Sequence, residues 1–336
     1  MVVLWGGSAL TQPDTVACQV GRVSTVYMNE RRPTGRMACP LRGSNEGACY
    51  MRVLISSNPE NLRAEKPCVT IEAEYGGVVV EGALLTLAHH GSRGHNPPPS
   101  TRPTGRVDGA ETIGISHVDL DTLGGIMSVR GDKPEAPSFW ELAGYVDLNG
   151  AHKLGASGAS EADLRRLYAY WAASAEIRVY PPRDGSVADV TALVDELAAV
   201  VLVVLADDQA ALEAGDAFKA AEDKLNADSF LALSKDGVVM RSSAAFVNHL
   251  YVTPDGQVAR ACVTHNPSED LPGGAITASL ADPIPGVNVG ELLGRVFGPE
   301  AGGHAGIGGS ERGKVRPFND AETFAAKLAE AMAAKV

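Results

Sequence analysis

The chain has 336 residues, of which 45% are hydrophobic and only 5% aromatic, and its formal net charge at pH 7 is −12. An acidic surface repels phosphate backbones, so this charge argues against tight, non-specific binding to long nucleic acid. The same net charge is compatible with a small anionic partner, provided that a bound cation attracts it. The length suffices for two or three domains, and the many small apolar residues predict an α/β fold.

The first region, residues 1–105, is predicted to be rich in short β-strands. Residues 51–55, 68–73 and 77–80 are apolar or alternate between apolar and polar side chains, as strands do. Residues 96–103 are rich in proline and predict a loop or linker. Two alternatives stay open for this region: it forms an added domain, or it supplies strands to the sheet that follows.

The cysteines bear on the cellular compartment; they are Cys18, Cys39, Cys49, Cys68 and Cys262. Their odd number and the absence of an N-terminal signal peptide favour a reducing environment, so we expect a cytoplasmic protein. No C-x-x-C pair occurs among them, which argues against a structural zinc site. The longest apolar run, residues 198–206, is too short to span a bilayer, so no membrane segment is expected.

Two adjacent histidines stand near the end of the first region. An apolar run at residues 83–87 is typical of a buried strand, and His89 and His90 follow it closely. Imidazoles at this position are candidate metal ligands if they lie close to Asp119 of the next motif. The alternative is a loop pair without a role.

The most informative motif is His-Val-Asp-Leu-Asp-Thr-Leu-Gly-Gly at residues 117–125. It lies between an apolar run and a segment that favours a helix, so it is placed at the carboxyl end of a strand, where ligands bind in α/β sheets. His117, Asp119 and Asp121 alternate and can reach one point in space, which suits manganese, magnesium, iron or zinc. The alternative is a polar loop in which Asp121 or Thr122 caps a helix. The paired glycines allow a backbone or a phosphate to approach closely.

Residues 106–210 are predicted to form an α/β domain that contains this motif. The helices expected after the motif lie at residues 139–145, 160–171 and 190–205, with another at 209–225. The Asp207-Asp208 pair at the start of the last helix is interpreted as a cap rather than as a metal site.

Residues 211–336 are predicted to form a smaller α+β unit. Its expected strands are residues 230–233, 238–240, 258–263 and 274–280, and its later helices are residues 287–297 and 318–335. A glycine-rich turn centred on Gly302, Gly303 and His304 follows the first of these helices, with more glycines than a helix end requires.

Two of these features together resemble the DHH phosphoesterase superfamily. The H-x-D-x-D segment at residues 117–121 is similar to the superfamily's first metal motif, and residues 274–304 are similar to its C-terminal substrate-binding domain with a Gly-Gly-His turn. The matches stand in the family's order, and the resemblance covers roughly residues 110–315. It implies a parallel-sheet α/β lobe and a smaller α+β C-terminal lobe, with the β-rich N-terminal region added.

The resemblance also implies an activity, a metal and a set of residues. The activity is that of a metal-dependent hydrolase, a phosphoesterase acting on a small phosphorylated or nucleotide substrate through activated water. The implied ion is manganese, with magnesium, iron(II) or zinc as alternatives; the expected partner is a small anionic substrate, and a homodimer is left open. The implied catalytic residues are Asp119, Asp121 and His117. The implied metal ligands are His117, Asp119, Asp121, Asp147, His152, His89 and His90, and the substrate-binding residues are Gly302, Gly303, His304 and Arg241.

The chain departs from the family in one respect, since no Asp-His-His triplet follows the first motif. Ala88 stands where His89 and His90 would be preceded by aspartate, and this pair comes before the motif, which implies a permuted core or a chance match. Asp147 is the candidate for the family's second metal aspartate, and His152 for part of the triplet. Besides phosphoester hydrolysis, two functions therefore stay open: another reaction of the same site (C–N or ester hydrolysis, or iron redox chemistry), and nucleotide binding without catalysis.

Overall fold

The computed structural model describes residues 51–73, 82–90, 96–268 and 271–334. These residues form an α/β protein with two separate sheets, one mainly parallel and one mainly antiparallel, which confirms the predicted fold class. The predicted strand at residues 77–80 and the cysteines Cys18, Cys39 and Cys49 lie outside the described residues. Cys68 and Cys262 are free thiols.

The described residues contribute five strands to the first sheet: β1 (Arg52–Ile55), β2 (Val69–Ile71), β3 (Leu85–Leu87), β4 (Thr112–Ile115) and β5 (Ala188–Asp189). Their order across the sheet is β3-β2-β4-β1-β5, in which the first four run parallel and β5 is an antiparallel edge. The central strands are almost wholly buried, as is typical of parallel sheets.

In the part of the chain that the structure describes, six helices accompany this sheet: α1 (Pro59–Ala64), α2 (Leu120–Arg130), α3 (Pro137–Asn149), α4 (Glu161–Ser174), α5 (Thr191–Leu205) and α6 (Gln209–Ser229). All of α2 except its last residue is buried, so this helix shows no amphipathic pattern. The Ser160 side chain caps α4, and the Asp208 side chain caps α6, which confirms the interpretation of Asp208 as a helix cap.

The predicted boundary at residue 105 does not separate two folded units. β1, β2 and β3 precede it and pair in the same sheet as β4, so the described part of the first region supplies strands to that sheet. The predicted boundary at residue 210 also moves, because α6 runs through it and packs against α4. The two helices approach closely at Gly215, where a Cβ would lie 2.5 Å from the Ala169 amide nitrogen. The first lobe thus extends to Ser229.

The second lobe contains the six-stranded sheet and begins at residue 230. Its strands are β6 (Phe230–Leu233), β7 (Val238–Ser242), β8 (Ala261–Asn266), β9 (Ala275–Leu280), β10 (Gly302–Gly303) and β11 (Ile307–Gly309), in the order β10-β11-β9-β8-β7-β6. Helices α7 (Val289–Phe297) and α8 (Phe318–Ala333) bury apolar side chains in this lobe's core. The predicted strands and both predicted helices are confirmed, with shifts of a few residues at their ends.

The two lobes touch beside the end of α3. The Lys153 ammonium lies 2.8 Å from the Asp282 carboxylate, and the His152 ring packs edge-on against Tyr251 with centroids 5.1 Å apart. Within the four described ranges, no helix combines the length and the apolar character that a bilayer span needs.

The proline-rich segment is a packed turn rather than a free linker. It forms a short 3-10 helix at Pro99–Thr101 that lies in a notch between α2 and α3. The notch exists because the facing helix residues lack side chains. A Cβ added at Gly124, Gly125 or Gly144 would lie 2.8, 2.7 or 2.6 Å from Ser100, Pro99 or Pro98, respectively. The glycine pair of the motif therefore admits this turn, and not a phosphate.

We expect Gly124→Ala to destabilise the protein by about 1–3 kcal/mol, because overpacking of a filled core forces neighbouring atoms to shift. The new methyl group would meet the backbone of Ser100 at 2.9 Å and the Trp140 ring at 2.9 Å. Urea unfolding measures the change. Gly155→Ala is the matched control, since a Cβ there has no neighbour within 4 Å; equal stability of the two variants would contradict the packing role of the notch.

Candidate metal centre

Three neighbouring strands of the first sheet end at one edge and carry acidic or imidazole side chains just beyond their ends. Glu72 follows β2, His89 and His90 follow β3, and the H-x-D-x-D motif follows β4. Because β3, β2 and β4 are adjacent and parallel, their carboxyl ends meet. Asp147 reaches the same point from the last turn of α3, which extends four residues beyond the predicted helix end.

The histidine pair lies at this edge, in contact with the carboxylates. Nε2 of His89 is 2.6 Å from Oδ2 of Asp147 and 3.3 Å from Oδ2 of Asp121. Nε2 of His90 is 2.9 Å from the same Asp147 oxygen and 3.7 Å from Oε2 of Glu72. The pair is therefore part of the cluster, although it precedes the motif in the chain.

Among the residues that the structure describes, the ligand-type atoms fall into three sets whose members lie within 4.8 Å of one another. The sets are Glu72 with His89 and His90; His89 with Asp121 and Asp147; and His117 with Asp119 and Asp147. Asp147 belongs to two sets, so the sets adjoin. This sharing is the arrangement that a pair of neighbouring cations needs.

Several of the converging atoms are buried and make no hydrogen bond. They are Nε2 of His89, Oδ2 of Asp121 and Oδ2 of Asp147. Buried polar atoms nearly always have a partner, and an unpaired one is costly. Here the three atoms have only one another as partners, at 2.6 and 3.3 Å and outside hydrogen-bond geometry. One nitrogen and two carboxylate oxygens arranged in this way fit a hard-to-borderline divalent cation such as manganese, iron or zinc.

In each aspartate of the motif, Oδ1 accepts hydrogen bonds from the surrounding chain and Oδ2 faces the cluster. Asp119 is the N-cap of α2, and its Oδ1 accepts a hydrogen bond of 2.7 Å from the Thr122 amide. Oδ1 of Asp121 accepts hydrogen bonds of 3.0 and 2.5 Å from the amide and hydroxyl of Ser100 in the proline-rich turn. The cap is thus Asp119 and not Asp121 or Thr122, and capping coexists with a place in the cluster.

Glu72 is a cluster member that the sequence analysis missed. Its side chain is only 3% exposed, and its Oε1 accepts a hydrogen bond of 3.0 Å from the His89 amide. Its φ is +46°, in the left-handed region that residues other than glycine rarely adopt. Such outliers cluster at functional sites. The available signal was a charged residue directly after an apolar strand.

The acids of the cluster raise the pKa values of its imidazoles. Burial by itself would lower the pKa of His89, but the carboxylates of Asp121 and Asp147 raise it to about 10. Desolvation would also lower the pKa of His117, but the neighbouring Asp119 carboxylate outweighs this effect and raises that pKa to about 9. In the metal-free protein these rings are therefore cationic near neutral pH.

The acids themselves respond unequally to burial. Burial raises the pKa of Glu72 to about 7, against the charges of His89 and His90, and it also raises the pKa of Asp121. Asp147 is buried too, yet His89 and His90 hold its pKa well below the usual range. Asp147 is thus the most persistent anion among these three acids, and a cation would replace protons held by its neighbours.

Two predicted site residues have other roles. Arg241 is fully buried, and its guanidinium donates hydrogen bonds to the carbonyls of Leu250, Asn226 and Val252 and to the side chains of Ser229 and Asn226. All five N–H groups are used, so the prediction that Arg241 binds substrate is corrected. His152 belongs to none of the three sets, because it turns toward Tyr251 in the second lobe; its prediction as a ligand is corrected as well.

The glycine-rich segment forms a hairpin rather than an open cradle. Gly302 and Gly303 pair with β11, and the amide of His304 donates a hydrogen bond of 2.7 Å to the Ile307 carbonyl. That amide is therefore unavailable to a phosphate. The His304 residue is exposed. Only its imidazole, and not its amide, is left to contact a ligand.

No protein-family model matches the chain, and no curated protein matches it. The similar solved structures include a pGpG-specific phosphodiesterase, PggH, from Vibrio cholerae, with a TM-score of 0.38 and 13% identity over 83% of this chain and 90% of that chain. Another is an uncharacterized protein from Helicobacter pylori G27, with a TM-score of 0.18 and 10% identity over 66% of this chain and 69% of that chain. Both likenesses are remote, so a functional proposal has to stand on the geometry of the cluster.

In the metal-free protein, we expect the free energy of unfolding to fall as the pH rises from about 6.5 to about 10. The folded-state pKa values of His89 and His117 lie above the ordinary value of 6.5, so their stabilising contribution is fully present below that value and is lost as the pH passes 9 to 10. Urea unfolding with a chelator present measures the trend. His89→Gln should flatten it, and an unchanged slope in that variant would count against the assignment.

Proposed function

We propose that this protein is a metal-dependent hydrolase, a phosphoesterase that acts on a small phosphorylated or nucleotide substrate. The observation that carries the proposal is the convergence of four carboxylates and three imidazoles at one sheet edge, including buried atoms without hydrogen bonds. Mixed carboxylate and imidazole ligands suit manganese, magnesium, iron or zinc. The DHH resemblance of the motifs at residues 117–121 and 302–304 supports the same class of reaction.

The ligand sets accommodate two ions that share one carboxylate. His89, Asp121 and Asp147 would hold the first ion, and His117, Asp119 and Asp147 the second. Glu72 and His90 adjoin the first set. Two divalent ions held in this way would lower the pKa of bound water toward neutrality and offset charge on the phosphoryl oxygens.

The side chains differ in depth, and this sets the direction from which a substrate would approach. The side chains of Asp121 and Asp147 are 0% and 9% exposed, whereas those of His117 and His90 are 44% and 33% exposed. An anionic phosphoester arriving from solvent thus meets imidazoles before it meets the buried carboxylates that repel it. The exposed imidazole of His304 is proposed to bind the substrate phosphate from the second lobe.

We expect Asp119→Asn to reduce Mn²⁺-dependent hydrolysis by more than the roughly 10–100-fold typical of losing an outer-shell partner of a metal. Asparagine is as good an N-cap as aspartate, so this variant removes the charge and keeps the cap of α2. The assay is release of phosphate or nucleotide from a panel that includes pGpG, short oligonucleotides and bis(p-nitrophenyl) phosphate, with and without Mn²⁺.

Asp208→Asn is the matched control, because Asp208 is also an N-cap aspartate and lies at the exposed start of α6. It should retain wild-type activity. Full activity of Asp119→Asn would remove Asp119 from the site. Wild-type protein that binds Mn²⁺ but hydrolyses nothing in the panel would favour a binding module or another reaction.

We expect His304→Ala to raise KM about tenfold, equivalent to about 1.4 kcal/mol of binding, with little change in kcat. The reason is that His304 is proposed to bind the substrate and is not among the residues that surround the ions. Steady-state kinetics on the best substrate of the panel separate the two constants. An unchanged KM would exclude the His304 imidazole as a substrate contact.

A further inference from the structure

Ser116, the residue before the H-x-D-x-D motif, joins two parts of the cluster that are far apart in the sequence. It is only 6% exposed. Its hydroxyl donates a hydrogen bond to the backbone carbonyl of Glu72, and the same oxygen lies 2.7 Å from Nδ1 of His117. One hydroxyl therefore contacts both the residue after β2 and the imidazole after β4.

The direction of the second hydrogen bond follows from the first. A carbonyl can only accept, so the single hydroxyl hydrogen of Ser116 points at Glu72. The Ser116 oxygen must then accept from His117, which requires a hydrogen on Nδ1. In the neutral ring, the lone pair is therefore on Nε2, and this nitrogen lies 3.3 Å from Oδ2 of Asp119.

The accepting carbonyl is held in place by the backbone at the end of β2. Glu72 has a φ of +46°, and its amide donates a hydrogen bond of 2.8 Å to the Leu87 carbonyl. A conformation of this kind persists only where its surroundings enforce it. The Glu72 carbonyl that accepts from Ser116 is thus held in a fixed position by the hydrogen bond between the ends of β2 and β3.

We propose that Ser116 is a positioning residue that presents Nε2 of His117 to a divalent cation. This rests on the proposed function, because it requires an ion at the set of His117, Asp119 and Asp147. Histidines that bind metals usually donate their other ring N–H to a fixed acceptor, which sets the tautomer and orients the ring. Ser116, held by the Glu72 carbonyl, is such an acceptor.

The test compares Mn²⁺ binding by wild type, Ser116→Ala, Ser116→Thr and Ser128→Ala in titration calorimetry. Ser128 is the matched control, since it is fully buried but donates its hydrogen bond to the Pro103 carbonyl, outside the cluster. We expect Ser116→Ala to weaken Mn²⁺ binding about 10–100-fold. Ser116→Thr keeps the hydroxyl and should bind as wild type does, and so should Ser128→Ala.

A second readout depends neither on metal nor on the folding of Ser116→Ala. In metal-free protein labelled with nitrogen-15 histidine, the Nδ1–H of His117 should give a proton signal protected from solvent exchange. His117→Gln assigns this signal by removing it. Ser116→Cys keeps nearly the same volume but offers a weak acceptor, so the protection should be lost.

The outcomes separate the inference from the proposed function. Equal Mn²⁺ affinity of folded Ser116→Ala and wild type overturns the inference and leaves the proposed function intact. Continued protection of the His117 signal in Ser116→Cys does the same. Wild-type protein that binds no Mn²⁺ overturns the proposed function and, with it, the inference.

Discussion

Negative charge is concentrated at one edge of the first sheet, where four carboxylates lie beside three imidazoles. Asp147 lies within 4.8 Å of both Asp119 and Asp121, and Glu72 adjoins them through His89, so the mutual repulsion of these acids must be offset. Without an ion, the offset comes from protons on the imidazoles, whose pKa values the acids raise. A divalent cation performs the same task more completely, which is why the arrangement favours a metal centre over an ordinary ion-pair network.

The scaffold keeps these charges close by anchoring one end of each ligand. Asp119 is tied to the start of α2, and Asp121 is tied to Ser100, whose turn enters a notch of glycines. His117 is tied through Ser116 to the backbone of Glu72. In each case the anchoring bond uses an atom that does not face the cluster, so the facing atom stays free for a ligand.

Elements with a clear period could be predicted from the sequence, and so could the motif at a strand end. Strands β1 to β4 and β6 to β9 and helices α4 to α8 follow from apolar runs, apolar spacing and caps. Strands β5, β10 and β11 were not predicted, because each has only two or three residues and two of them consist mostly of glycine. His89 and His90 could only be proposed as metal ligands, because the sequence does not show that β3 and β4 lie near each other in the sheet. Glu72 was missed although it directly follows an apolar strand, because a single charged residue at a strand end does not show which other side chains lie next to it in the fold.

Side-chain chemistry alone also misled at two places. Arg241 has the right charge for a phosphate, but its place in β7 buries it among carbonyl and side-chain oxygens that accept from every one of its N–H groups. His152 is only five residues from Asp147, yet the end of α3 intervenes and turns it toward the second lobe.

The cluster ligands themselves span positions 72 to 147 and exist as a group only when the first lobe is folded. An ion at one hundred times its Kd would therefore add about 2.7 kcal/mol to the stability of the folded first lobe, because only the folded chain brings these ligands together.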